Sequence, residues 1–149
     1  MAAGSLIFPP AGFDFVVAFD VLEHLPRIGE DLALIRTVLK TAGHFFVSVP
    51  NSESLVARVM GKHWNMLLLE HLWYFSPKTL EQMMARYGFA PLAIRSVPYD
   101  ASIVHLATRL AQTFGMTGAF KGGPISRLVL PIPAGIMLGV FRKGELITC

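Results

Sequence analysis

Charge is scarce in this chain. Asp, Glu, Lys and Arg make up 15% of its 149 residues and hydrophobic types 53%, whereas an ordinary soluble domain is about 25% charged. So little charge implies that much of the surface meets something apolar or lacks a covering segment. Cysteine is nearly missing. Cys149 stands alone, which excludes an intrachain disulfide and a cysteine-built zinc site, and fits a reducing compartment without requiring one. The start, Met1-Ala-Ala-Gly-Ser5, has no basic residue and no apolar stretch typical of a leader, so no signal peptide is expected. The net charge is +3 with the basic residues scattered, which leaves nucleic-acid binding without support. The longest uncharged run, Leu128 to Phe141, is broken by Pro131 and Pro133 and falls short of the roughly 20 residues of a membrane helix. With Arg127 before it and Arg142-Lys143 after it, the run fits either a lid or core helix or a helix lying in a membrane interface.

What is present reads as alternating strands and helices. Phe13 to Phe19 is a short β-branched and aromatic run, predicted as a buried strand. Ile28, Leu32, Ile35 and Leu39 recur at helical spacing, with Lys40 and Gly43 as stop signals. His44 to Val49 is predicted as a second strand, ended by Pro50-Asn51. A strand–helix–strand unit of this length defaults to parallel pairing through a right-handed crossover. Ser52 to Met60 suits a short helix, and Gly61 to Tyr74 is aromatic-rich and irregular. Ser76 and Pro77 fit the N-cap and first turn of a helix with the face Leu80, Met83, Met84 and Tyr87, closed by Gly88. Phe89 to Val97 is predicted as a third strand. Beyond Pro98, Asp100 is read as the cap of a helix bearing Ile103, Leu106 and Leu110, within a helical insertion or lid over 99–143, and Glu145 to Cys149 as the start of a last strand.

Polar residues concentrate where the first strand stops. Asp20, Glu23 and His24 follow Phe19 directly, and the carboxyl ends of strands are where open α/β sheets bind ligands. Offsets of three and four bring Glu23 and His24 beside Asp20 in a helical turn. Two carboxylates and an imidazole can hold a divalent cation, act as a general base, or simply bond backbone groups at the rim of a pocket. His71, within Leu69-Glu-His-Leu-Trp-Tyr-Phe75, is costly to bury without a partner. Trp64, Trp73 and Tyr74 can line an apolar pocket or pack in the core, and Phe75 fits the core. Asn51 ends the second strand, as a ligand-facing group or a turn residue. No His-Glu-x-x-His pattern occurs, and no metal ligand set is assigned.

Four segments, Phe13-Asp-Phe-Val-Val-Ala-Phe-Asp-Val-Leu-Glu-His-Leu-Pro26, Leu39-Lys-Thr-Ala-Gly43 followed by Phe46-Val-Ser-Val-Pro-Asn51, His71-Leu-Trp-Tyr-Phe-Ser-Pro-Lys-Thr-Leu80 and Tyr87-Gly-Phe89, give the chain its resemblance to class I S-adenosylmethionine-dependent methyltransferases, especially the branch of ubiquinone-biosynthesis O-methyltransferases. The match covers about residues 8 to 97. It implies an α/β fold, a partial Rossmann-like sheet made of the family's fourth to seventh strands with the last one antiparallel. It also implies methyl transfer to a small-molecule or lipid-linked acceptor. Glu23, His24 and His71 would then be catalytic groups on the acceptor side, and Asp20 and Val21 would lie near the methionine end of S-adenosylmethionine. In the quinone branch a similar acidic–histidine cluster is linked to metal dependence and to substrate deprotonation. The family's glycine-rich cofactor turn has no counterpart here: Gly4 and Gly12 have no strand before them and no helix after them. A single, truncated domain is therefore expected over 1–149, active once joined to its upstream half. The alternative is a non-catalytic remnant or interaction module pairing through the open edge beside Phe15–Phe19, with homo-oligomers as one outcome. A cytoplasmic location, with or without peripheral membrane contact, completes the expectation.

Overall fold

The computed structural model of the chain describes residues 8–102 and 129–144. Four strands and three α-helices follow in the order β1 (Phe13–Phe19), α1 (Ile28–Val38), β2 (Leu39–Pro50), α2 (Leu55–Met60), α3 (Pro77–Arg86), β3 (Phe89–Ser102) and β4 (Val129–Lys143). They form one sheet in the spatial order β1-β2-β4-β3. β1 and β2 are parallel, as the α1 crossover requires, and β4 runs antiparallel to both β2 and β3. The α/β class holds; the antiparallel strand is β4, whereas the last strand expected from Glu145 lies outside the described residues.

Pleating sorts the residues of β2. Phe45, Val47 and Val49 are buried and meet Leu22, Ile28 and Leu32 of the first crossover, Leu80 and Met84 of α3, and Phe89, Met137 and Phe141 of the neighbouring strands. Parallel register sets Phe15, Val17 and Phe19 beside His44, Phe46 and Ser48 on the other face. There the β1 side chains stand in solvent, Phe15 with 64% of its surface exposed. β1 is also an edge strand.

Two helix starts are capped by serine, the second at the Ser76-Pro77 signal read in the sequence and the first at Leu55, three residues later than the Ser52 start expected. Ser54 Oγ accepts the Ala57 amide at the head of α2. At α3, Ser76 Oγ accepts the Thr79 amide while Thr79 Oγ1 accepts the Ser76 amide, a reciprocal capping box with Pro77 in the first turn. Ser76→Ala removes one side of that exchange and is expected to cost about 1 kcal/mol of stability, read as a lower urea midpoint at unchanged slope.

Four expectations are corrected. β1 is not a buried strand, because Phe13, Phe15, Val17 and Phe19 are exposed and only Ala18 is buried. α1 stops at Val38, not at Lys40–Gly43; Leu39 already turns extended and pairs with Phe13. The stop residues instead fill an irregularity in the ladder, where Ala42 takes a φ of 59°. Asp100 caps no helix, because β3 continues through it and pairs it with Pro131. The stretch Leu128 to Phe141 is likewise neither lid helix nor interfacial helix, since Val129–Lys143 is a strand, and the last one described. Its sequence explains why. The part from Ile136 to Arg142 has a strand on each side, and such strands read as continuous apolar runs without alternation. Pro131 and Pro133 fall where β2 has ended and β4 pairs only with β3, positions that tolerate a missing amide donor. Of the predicted insertion, residues 103–128 lie outside the described residues, as do 145–149. No helix among the described residues is long and apolar enough to cross a membrane.

Candidate functional site

The corner after β1 is built by backbone. Asp20 adopts a φ of 52°, a left-handed conformation in which Asp is among the tolerated residues. Its amide donates to the Ser48 carbonyl of β2 at 3.1 Å, and the Ser48 hydroxyl donates to Asp20 Oδ1 at 2.8 Å. This clamp turns the chain sharply into a short 3₁₀ turn, Leu22–His24, whose Leu22 is sunk in the core. Glu23 and His24 are therefore delivered by a fixed hinge and a buried anchor.

The second half of the site comes from the segment before α3, which is sewn to that turn. The Glu23 carbonyl accepts the amides of Leu72 and Trp73 at 2.7 and 3.2 Å, and Trp73 Nε1 donates to the Leu25 carbonyl at 2.7 Å. His71 thus arrives against His24, with ring centroids 4.7 Å apart in an edge-to-face arrangement. The sequence candidates Glu23, His24 and His71 are brought together: one donor atom from each lies within 4.8 Å of the others.

Both imidazoles are oriented by backbone carbonyls. His24 Nδ1 lies 3.0 Å from the Glu70 carbonyl and His71 Nδ1 lies 2.9 Å from the Met66 carbonyl. A carbonyl only accepts, so each Nδ1 carries hydrogen, and in the neutral ring Nε2 keeps its lone pair. Glu23 is 1% exposed, and its Oε2 is buried without a hydrogen-bond partner among the described residues. Burial pushes its pKa above the ordinary 4.5; the nearby Asp20 charge adds to the rise, while a backbone hydrogen bond and the two histidines oppose it. In such a case the unfolded chain ionises first as pH rises. Stability should be complete below about pH 4.5 and decline as pH climbs through the folded-state pKa of Glu23. Glu23→Gln is expected to flatten that part of the profile, measured by urea unfolding across pH in chelator-treated buffer.

The remaining candidates separate. Asp20 is exposed and committed to Ser48, and Val21 beside it is exposed as well. Trp64 and Phe75 are core residues, whereas Trp73 and Tyr74 are partly open to solvent, Tyr74 with its ring 6.2 Å from that of His71. Asn51 is buried; its Oδ1 accepts the Glu53 amide at 3.0 Å, an Asx turn that accounts for the residue structurally. Sequence reasoning missed Ser48, the hydroxyl that fixes Asp20. Its position facing Phe19 across the parallel pair was the available signal.

A parallel β1–β2 pair with its polar cluster at the carboxyl end, followed by an antiparallel strand inserted between β2 and β3, makes a mixed α/β sheet of the Rossmann-like kind. A family model described as a methyltransferase domain matches residues 3–94, more than half of the sequence. The chain belongs to that methyltransferase-domain family. No curated protein matches it. Among solved structures it is similar to a S-adenosylmethionine-dependent methyltransferase of Thermotoga maritima, described as a possible histamine N-methyltransferase, at TM-score 0.58 and 16% identity over 93% of this chain and 60% of that one. It is also similar to the 1,6-didemethyltoxoflavin-N1-methyltransferase of Burkholderia thailandensis, solved with 1,6-didemethyltoxoflavin and S-adenosylhomocysteine, at TM-score 0.55 and 20% identity over 95% and 48%. A third likeness is to a methyltransferase of Haloferax volcanii in complex with the Trm112 activator, at TM-score 0.58 and 16% identity over 95% and 58%. The chain thus spans roughly half to three fifths of these neighbours.

Proposed function

We propose that the chain is the acceptor-side part of an S-adenosylmethionine-dependent methyltransferase acting on a hydroxyl of a small-molecule or lipid-linked acceptor. The convergence of Glu23, His24 and His71 at the carboxyl end of β1 carries this reading. Methyl transfer needs the acceptor oxygen in line with the methyl group and the sulfonium, so positioning supplies most of the rate. A weakly acidic hydroxyl must also shed its proton or have its charge stabilised. The Nε2 atoms and the Glu23 carboxyl are the groups suited to receive that hydroxyl, with exposed Tyr74 beside His71 for an aromatic or apolar body. Asp20 and Val21 would face the methionine end of the cofactor. The resemblance to the ubiquinone-biosynthesis branch favours a phenolic, lipid-linked acceptor and contact with a membrane surface.

The bare β1 edge supports the second element of the proposal. Strands carrying the cofactor turn would pair there, and the helices joining them would pack across the face that bears Phe15, Val17 and Phe19. A remnant that uses the same edge to bind another chain, or a second copy of itself, is the competing reading. The test joins the chain to an upstream strand and glycine-rich turn and follows transfer of a labelled methyl group from S-adenosylmethionine to phenolic acceptors. Micromolar cofactor binding and labelled product support the enzyme. Cofactor binding that never yields product, with acceptors of any of these classes, supports the remnant.

A further inference from the structure

We infer that β1 of this chain, by itself, is a docking edge for a second copy, the two β1 strands pairing antiparallel about a two-fold axis at Val16. The inference goes beyond the enzyme reading and does not rest on it. In a joined protein the cofactor-side strands would take the same edge, so the pairing belongs to the chain standing alone.

The edge carries no defence. Natural edge strands are protected from pairing by lysine, proline, bulges or covering segments. β1 has neither lysine nor proline, and among the described residues only β2 pairs with it. The irregularity between Phe13 and Phe15 is taken up on the β2 side, where Leu39 to His44 spans the same step. The one charge of β1, Asp14, is held by Lys40 Nζ at 2.8 Å. Phe13, Phe15, Val17 and Phe19 stand exposed on one face of the strand.

The residue pattern of β1 fits itself. In a two-fold interface residue i meets j of the other copy and j meets i. With the axis at Val16, Phe13 faces the partner's Phe19 and Phe15 faces the partner's Val17. Aromatic and β-branched pairs of this kind stabilise antiparallel ladders. On the opposite face Asp14 meets the partner's Ala18, so no charge opposes a charge. This register also pairs all 7 residues of β1. Moving the axis to Val17 would set Asp14 against the partner's Asp20, and like charges directly opposite each other are destabilising. Charge thus selects a register that the apolar residues alone leave open. A contact of one short strand from each copy is small, and small interfaces are weak. The dilute chain is therefore a monomer with β1 bare, and pairing sets in as concentration rises.

The test follows association directly. The whole chain, carrying Cys149→Ser so that no disulfide links two copies, is examined by sedimentation equilibrium from about 1 to 500 µM. A monomer–dimer equilibrium is expected. Phe15→Glu and Val17→Lys each put an unpaired charge into the apolar ladder and should weaken the dimer at least about tenfold. Mixed in equal amounts, the two variants should pair again as a heterodimer, because these positions face each other across the axis. Both are exposed in the single copy, so the fold is kept, as circular dichroism verifies. Leu69→Lys, at the fully exposed leucine in the segment before α3, should leave association unchanged. A monomer over the whole range would overturn the inference. So would loss of association in Leu69→Lys, which moves the contact to a different apolar surface. Failure of the mixture to regain the dimer would overturn it too, since an axis at Val17 would bring Phe15 to the partner's Phe19 instead. Methyl transfer enters none of these readouts, so failure of the enzyme reading leaves this result standing, and the reverse.

Discussion

Replacing His24 with alanine, in the chain joined to a cofactor-holding half, is expected to slow methyl transfer to a phenolic acceptor by about 10²–10⁴-fold, the range that a positioned proton-accepting group contributes. The expectation is specific because His24 is held by two independent ties. Its backbone sits in the 3₁₀ turn fixed by buried Leu22, and its ring is pinned by the Glu70 carbonyl. Removing the imidazole leaves both the turn and the Asp20–Ser48 clamp in place. Affinity for S-adenosylmethionine should then stay within about twofold, because only the chemical step loses a group realised in the transition state. His24→Gln keeps a polar atom near the Nε2 position but cannot take a proton, and should remain slow. The decisive measurement is turnover at saturating cofactor alongside calorimetric affinity. Near-normal turnover in the alanine variant would remove His24 from the chemistry, while a matching loss of cofactor affinity would make it a structural residue.

Much of this corner could be read along the chain, because its logic is local. Phe13–Phe19 is bounded as the sequence run suggested, and Glu23 and His24 follow it within one turn. The capping signal at Ser76-Pro77 is local too. His71 is different. Its sequence neighbours say only that burying it needs a partner; that it meets His24 depends on amides of Leu72 and Trp73 reaching the Glu23 carbonyl across a long gap in sequence. Only the family resemblance points to His71 in the sequence, and only tertiary structure sets its geometry. β4 was illegible for another reason. Between two strands both of its faces are covered, so the period-two alternation that reveals a strand disappears. Pro131 and Pro133 mark the stretch where one neighbouring strand has ended. Gly135, with a φ of 72°, sits at that boundary, and its carbonyl accepts the Asn51 amide at 2.6 Å. A side chain there would press on Ser54 Oγ at 2.9 Å, so glycine is required for close approach between β4 and the loop that leaves β2.

Phe45→Ala is the substitution with the largest expected cost in stability, about 3–5 kcal/mol. Phe45 is fully buried on β2 between Val16 and Phe141, with its ring 5.4 Å from that of Phe89. The lost side chain leaves a cavity enclosed by three strands, where backbone ladders on each side resist collapse. A domain of this size has about 5–15 kcal/mol in total, so the variant should unfold at a much lower urea concentration, or lack a cooperative transition altogether. Phe15→Ala supplies the counterpart. The same chemical change on exposed β1 should shift the midpoint by no more than about 0.5 kcal/mol in the chain by itself. If cofactor-side strands pair with β1, however, Phe15 becomes an interior residue. The same variant should then lose about as much as Phe45→Ala once the two halves are joined. Unfolding both variants in both contexts separates the alternatives: a Phe15 cost that appears only on joining places the added half against β1, and one that stays small in both contexts removes that face from the interface.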